Sequence, residues 1–279
     1  MREYLKRSIS STLKIAGCFR VDDNCAKGVI LLYHSIGPAD KDDYLKLRVD
    51  KDNFNRQMEY LYENKYSVVP LTEMINKLNL GRETENKKFI SITFDDGYAD
   101  NLEFAAPVLK KYCFSATTFI TTGYLDGQGR GDKYWDKWGY LTTENIRELL
   151  SSGFEVGSHS SSHRMLTSLD DTSLRREILD SKKVLKGAVK NKVTIFSYPH
   201  GAFNKRVENI LKEEGYIAAC TSITGFNNNK SNVFELKRIE IRGGNSLQDF
   251  INKIDGHYNW LGYFQKMRSL KDGCSSGTN

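Results

Sequence analysis

Two aspartates side by side and two histidines four residues apart are the groups in this 279-residue chain best suited to chemistry. Asp95 and Asp96 close the run Lys88-Phe89-Ile90-Ser91-Ile92-Thr93-Phe94 and are followed at once by Gly97. That run is short and rich in aromatic and β-branched residues, which predicts a buried strand. The pair then stands at the strand's carboxyl end, where α/β proteins collect ligands and reacting groups. Consecutive residues of an extended chain point to opposite sides, so one carboxylate can hold a metal while the other moves a proton. Gly97 can adopt a positive φ and turn the chain tightly beside an ion or substrate. An Asp-Asp-Gly tripeptide by itself also fits a solvated turn, so a partner cluster has to decide.

The second cluster is His159-Ser160-Ser161-Ser162-His163, into which the short strand Phe154 to His159 runs. If this segment makes a helical turn, its two imidazoles lie on one face and can reach one ion. With Asp96 they form a two-histidine, one-aspartate donor set suited to zinc, cobalt, nickel or iron, with a coordination position left for water. A third element, Phe196-Ser197-Tyr198-Pro199-His200-Gly201, also closes a strand, and its Pro-x-Gly sets a rigid turn. His34 ends the first apolar run, Gly28 to Ile36, which Gly37-Pro38 stops. His34 and His200 are thus strand-end histidines whose role is either structural or acid-base.

Strands and helices must alternate to place these groups. Strand patterns at 28–36, 66–71, 88–94, 115–122, 154–159, 193–198, 217–223 and 234–241 are separated by helical ones at 52–64, 72–75, 102–112, 142–151, 168–187, 205–214 and 247–254. This predicts parallel βα units closed into a barrel or nearly so. No internal repeat or linker divides residues 28–257, so the chain reads as one domain with an arm at 1–27 and a tail at 258–279.

Composition sets outer bounds. A hydrophobic content of 39%, 27% charged residues and a formal charge of +6 describe a globular chain that permits contact with an anionic surface without requiring it. Five scattered cysteines without a Cys-x-x-Cys pair argue against a disulfide framework or a zinc-thiolate site and suit the cytoplasm. No window suits a membrane span, and the basic start lacks the apolar core of a signal peptide. Tyr4, Leu5, Ile9, Leu13 and Ala16 recur at helical spacing among Arg2, Lys6, Arg7 and Lys14. Such a helix either lies peripherally on a membrane or docks on the domain. No nucleic-acid motif, phosphate-binding glycine loop or Gly-x-Ser-x-Gly elbow competes with the candidate site.

Thr93-Phe94-Asp95-Asp96-Gly97-Tyr98, His159 to His163 and Phe196 to Gly201 together resemble, in order, three motifs of the polysaccharide deacetylases of the NodB-homology type, carbohydrate esterase family 4. The resemblance spans roughly residues 28 to 256. It implies a distorted (β/α)7-type barrel, a metal-dependent N-deacetylase of amino sugars, Asp95 as general base, and Asp96, His159 and His163 as ligands of one divalent ion, zinc first. Leu32-Tyr33-His34-Ser35-Ile36 resembles the branch that includes poly-N-acetylglucosamine de-N-acetylases. The implied substrate is an N-acetylated amino sugar, oligomeric or carrier-linked, met by Tyr198 and Pro199 and stacked by Trp135 or Trp138 unless these tryptophans pack in their loop. Competing readings are a deacylase of a small non-sugar amide and a carbohydrate-binding protein that has lost turnover.

The chain departs from that pattern in two respects. Many members carry an arginine in the third motif, where this chain has Ser197, and a tyrosine where it has His200. The late Leu-x-His motif that usually supplies the general acid is not evident, which leaves His200 and His34 as candidates.

Overall fold

The computed structural model describes residues 27–80, 88–129, 136–189 and 192–265. The expected N-terminal helix with its membrane contact, and Trp135, lie outside the described residues. Ten strands are labelled here in chain order: β1 (Lys27–Tyr33), β2 (Ser35–Gly37), β3 (Arg48–Asp50), β4 (Ser67–Val68), β5 (Lys88–Phe94), β6 (Thr117–Ile120), β7 (Glu155–Ser158), β8 (Ile195–Ser197), β9 (Ala218–Thr224) and β10 (Leu236–Glu240). The helices are α1 (Lys51–Glu63), α2 (Leu71–Leu80), α3 (Ala106–Lys111), α4 (Thr143–Ser151), α5 (Asp171–Ala188), α6 (Lys205–Glu213) and α7 (Leu247–Ile254). Five are N-capped by an Asp, Thr, Asn or Ser side chain that accepts from the first turn, as Asp50 does for α1 and Asp170 for α5.

β1, β5, β6, β7, β8, β9 and β10 close a parallel barrel, because β1 pairs with both β5 and β10. The β1–β5 ladder is continuous from Lys27↔Lys88 to Tyr33↔Phe94 and sets the ends of these strands level. The other edge of β5 is shared, with β4 beside Phe89 and Ile90 and β6 beside Thr93 and Phe94. This sharing distorts the barrel, as does a register shift between β9 and β10 at Leu236/Arg238.

Strand alternation sorts the interior. In β5, Ile90, Ile92 and Phe94 join the large core under the helices, while Phe89 belongs to a second cluster with Ile30, Phe119, Ile195, Ala218, Cys220 and Leu236. Leu71, Met74, Ile75 and Leu78 of α2 complete that cluster. The lower half of the barrel is therefore an apolar plug. Gly157 makes room for it, since a Cβ there would run into the Phe119 ring. Above the plug, period-two alternation puts Ser91, Thr93 and then Asp95 on the inward face of β5.

One sequence expectation needs correction. The helix expected over 102–112 begins as a π-turn, Asn101–Ala105, in which Ala106 N–H donates to the Asn101 carbonyl. Pro107, with no N–H to give Glu103, forbids the ordinary helical bond there. The aromatic segment from Tyr258, whose composition predicts terminal packing, lies against the domain: Tyr258 is buried, and the Gln265 side chain accepts from Thr224 N at 2.8 Å. Among the described residues, no helix is long and apolar enough to cross a membrane.

Candidate metal centre

Asp96 and the two histidines meet above the carboxyl ends of β5 and β7. Asp96 Oδ1 lies 3.4 Å from His159 Nε2 and 3.2 Å from His163 Nε2. Donors held about 2.0–2.1 Å from a tetrahedral ion stand roughly 3.3 Å apart, so these edges fit one such ion. Donor chemistry agrees with the spacing. His159 Nδ1 faces the Ser197 carbonyl at 2.8 Å, so its proton sits there and Nε2 presents a lone pair. Asp96 Oδ1 is buried without another hydrogen-bond partner among the described residues and faces Nε2 of both histidines. Such a convergence calls for a cation.

Backbone geometry makes the convergence possible. Asp96, Ser160, His163 and His200 all have positive φ, four of the eight non-glycine residues so placed among those described. Such conformations cost on the order of 1–3 kcal/mol each and persist where surrounding structure over-determines them. Contrary to the helical turn expected from sequence, Ser160 to Met165 is a loop. The two histidines meet because Ser160 (φ 64) and His163 (φ 58) are left-handed, and not through an i, i+4 helical face.

Asp95 points into the barrel beneath the ligands and meets a partner that no sequence motif announced. Arg238 of β10, 1% exposed, donates from Nη1 to Asp95 Oδ1 at 2.8 Å and from Nη2 to Asp95 Oδ2 at 2.7 Å. It also donates to Ser197 Oγ at 2.9 Å and to the Thr221 carbonyl at 2.8 Å, and Ser197 Oγ donates to Asp95 Oδ2 at 3.1 Å. Burial alone would raise the Asp95 pKa, but Arg238 and His159 hold it below the usual carboxylate value. Asp96 is likewise buried, and His163 and His159 hold it well below that value. For His159 burial acts downward, yet Asp95 and Asp96 raise its pKa above the ordinary one.

The third-motif departure is thus compensated in space. Arg238 supplies from β10 the guanidinium that Ser197 lacks, and Ser197 becomes a relay between Arg238 and Asp95. The absence of an arginine at 197 was the available signal. The alternation Leu236-x-Arg238, which shares one strand face, was the other.

The remaining candidates divide. His34 stands at the end of β1, its carbonyl accepting from Asn101 Nδ2 at 2.9 Å, and its Nδ1 is buried without a hydrogen-bond partner among the described residues. His200 lies against His163, ring centroids 4.5 Å apart, with Nε2 3.2 Å from the His163 carbonyl. Burial and the neighbouring His163 lower its pKa. Tyr198, expected at the substrate, is instead fully buried: its hydroxyl donates to the Phe234 carbonyl at 3.1 Å and its ring stacks on Phe203. Pro199 is buried beside it. Strand alternation sends Tyr198 away from the barrel axis, on the side opposite Ser197. Trp138 packs edge-on to Tyr98, lies under the Arg48 guanidinium at 5.2 Å, and donates to Asp40 at 3.0 Å, so its loop packs through it against the segments that carry those residues.

A family model described as polysaccharide deacetylase matches residues 82–219. YxkH of Bacillus subtilis (strain 168), named as a candidate polysaccharide deacetylase, is 33% identical over 225 residues, 81% of this chain and 75% of its own length. The poly-β-1,6-N-acetyl-D-glucosamine N-deacetylase of Staphylococcus aureus (strain MSSA476) is 23% identical over 219 residues, 75% of this chain and 73% of its own. Among solved structures, Streptococcus pyogenes deacetylase PplD in complex with acetate superposes with a TM-score of 0.73 at 25% identity, covering 82% of this chain and 99% of that one.

Proposed function

This chain belongs to the polysaccharide deacetylase family, and on that premise we propose that it hydrolyses the N-acetyl, or another small N-acyl, group of an amino sugar in a surface polysaccharide or its carrier-linked precursor. One observation carries the reading: donor atoms of Asp96, His159 and His163 lie within 4.8 Å of one another, with an arginine-paired carboxylate beside them. Asp96, His159 and His163 would hold a divalent ion, and two imidazoles with one carboxylate match zinc best. When bound, that ion supplies Lewis acidity, lowering the pKa of water from about 15.7 toward 7 and polarising the acyl carbonyl.

Asp95 serves as general base. Its Oδ2 accepts from both Arg238 and Ser197, whereas Oδ1 accepts from Arg238 and keeps a lone pair for the proton of the attacking water. Arg238 keeps the carboxylate ionised at neutral pH and fixes its plane. The departing amine needs a proton, and His34 is the better placed donor. Its Nδ1 is buried without a hydrogen-bond partner among the described residues, and the ring stands at the β1 end within electrostatic reach of Asp95, Asp96 and Glu240. His200 has committed Nε2 to the His163 carbonyl, and burial and His163 lower its pKa, which disfavours the protonated form an acid needs. Hydrolysis then leaves the carboxylic acid and a free amino sugar.

The test measures amine release from N-acetylglucosamine oligomers and a carrier-linked N-acetylated amino sugar, with metal-stripped protein before and after zinc or cobalt addition. Release that depends on metal and disappears in Asp95→Asn while metal binding persists is the expected result. His34→Gln lowers kcat about 10²–10⁴-fold with KM little changed if His34 is the acid. Zinc-loaded protein that binds glycans but leaves all of them intact would transfer the assignment to a binding role.

A further inference from the structure

The loop from His159 to His163 is bonded at every backbone position. His159 N donates to the Ile120 carbonyl at 2.9 Å, Ser160 N to Ser158 Oγ at 3.3 Å, and His163 N to Ser160 Oγ at 3.1 Å. Ser161 N and Ser162 N both donate to Glu177 Oε2, at 3.1 and 2.8 Å. On the carbonyl side, Thr121 Oγ1 serves His159, Thr122 N serves Ser160, Gly123 N serves Ser161, Tyr124 Oη serves Ser162 and His200 Nε2 serves His163. Three of the five N–H groups find a backbone carbonyl or a neighbouring serine hydroxyl, and the other two depend on one distant side chain. That side chain is Glu177.

Glu177 occupies an unusual place for a carboxylate. The buried stripe of α5 is Leu174, Glu177, Ile178, Ser181, Leu185 and Ala188, helical spacing throughout. Its two polar members are both directed at the ligand loop: Ser181 Oγ bonds Ser158 Oγ at 2.6 Å, and Glu177, 8% exposed, takes the two amides and also the Ser162 hydroxyl. A carboxylate in an otherwise apolar stripe is unfavourable unless its lone pairs are filled, and here all of the filling comes from the segment between the two histidines.

We infer that Glu177 is a positioning residue for the metal centre, holding the Ser160–His163 turn in its left-handed form so that His159 and His163 face Asp96 Oδ1 before any ion arrives. The inference rests on the metal reading of the site given above. Two adjacent amides converging on one carboxylate oxygen pin the middle of the turn from one side, and the Gly123 and Thr122 amides pin its carbonyls from the other. Gly123 is required for that approach, since a Cβ there would stand 2.6 Å from the Ser161 carbonyl oxygen. Without the carboxylate, two part-buried amides lose their acceptor and the left-handed residues relax toward ordinary backbone, which separates the imidazoles.

The experiment compares full-length, metal-stripped wild type with Glu177→Ala, Glu177→Asp and Glu177→Gln. Zinc dissociation constants come from competition with a chromophoric chelator, the cobalt form is followed by its visible absorption, and thermal unfolding of the metal-free proteins controls for folding. Loss of an outer partner of a ligand typically weakens metal binding about 10–100-fold, and that loss is expected for the alanine and aspartate variants, with an altered cobalt spectrum. Aspartate keeps the charge but is too short to span both amides. Glutamine keeps an acceptor oxygen and should recover most of the affinity with a wild-type spectrum, which a purely stabilising role would not predict. Should the alanine variant fail to fold, the aspartate and glutamine pair carries the comparison. Folded aspartate and alanine variants that bind zinc as tightly as wild type with an unchanged spectrum would overturn the inference. A wild type that binds neither zinc nor cobalt would overturn the metal reading itself.

Discussion

Replacing Arg238 by methionine removes a guanidinium that is 1% exposed and leaves Asp95, 3% exposed, with Ser197 Oγ as its remaining close donor. Breaking a buried, hydrogen-bonded ion pair costs about 3–5 kcal/mol, because the surviving charge keeps its desolvation penalty without its partner. For a chain of this size, roughly 2–4 °C per kcal/mol, that is a fall in Tm of roughly 6–20 °C. The signature is the pH dependence. In wild type the Asp95 pKa is depressed, so its contribution is present above the unfolded value near 3.9 and is lost only as pH falls through the lower folded value. In Arg238→Met burial dominates and raises the folded pKa, so the variant loses stability as pH rises through that value. The deficit against wild type should therefore be small near pH 4 and full near pH 8. Urea unfolding of both metal-free proteins at the two pH values reads this directly, and the acid limb of kcat/KM in the metal-loaded variant should move to higher pH. Restoring the arginine from the third-motif position, in Arg238→Met/Ser197→Arg, should return part of the loss, because Ser197 Oγ is 3.1 Å from Asp95 Oδ2. An equal deficit at pH 4 and pH 8, with an unmoved acid limb, would refute the coupling of Arg238 to Asp95.

The raised His159 pKa implies that an incoming ion displaces a proton, so apparent zinc affinity should rise with pH up to that pKa and then level. Calorimetry in two buffers of different ionisation enthalpy counts the proton, and none released between pH 6 and 7 would contradict the assignment. Asp100 is buried, accepts from Ser35, the Ile36 amide and Asn101 and lies near Arg48, yet burial pushes its pKa up to about 7. Its protonated form is favoured in the fold, so that contribution is lost as pH rises from about 4 through about 7. Asp100→Asn should flatten the stability profile in that window, measured by urea unfolding, and an unchanged profile would exclude Asp100 as the source. Gly123→Ala should destabilise the protein by about 1–3 kcal/mol and weaken zinc binding, because backbone and not a flexible side chain blocks its methyl group. Zinc affinity equal to wild type in that variant would show that the ligand loop tolerates displacement.

Much of this site was legible along the chain. Asp95 and Asp96 follow a strand whose aromatic and β-branched run leaves little ambiguity, and His159 follows another. In a parallel barrel the carboxyl ends of all strands share one rim, so strand ends distant in sequence are neighbours in space. What was not legible was geometry within the rim. A spacing of four between the histidines suggested a helical turn, because the i, i+4 rule assumes regular backbone, and the loop meets the same requirement with two left-handed residues instead. Tyr198 sits in a motif yet faces the helices, because its neighbour Ser197 faces the axis.

The sequence by itself determined the donor types, their order and their attachment to strand ends, since these follow from local pattern and from the chemistry of carboxylate and imidazole. Only the tertiary structure decided how those donors are held. Arg238 and Asp95 are 143 residues apart, and they pair because the barrel closes and because β10 shifts register against β9 at Arg238. Glu177 reaches the ligand loop because α5 packs its one acidic buried position there. Both partnerships depend on the register and closure of strands and helices that no local run of residues encodes, and the apolar plug beneath them keeps the resulting charges dry enough to act on one another strongly.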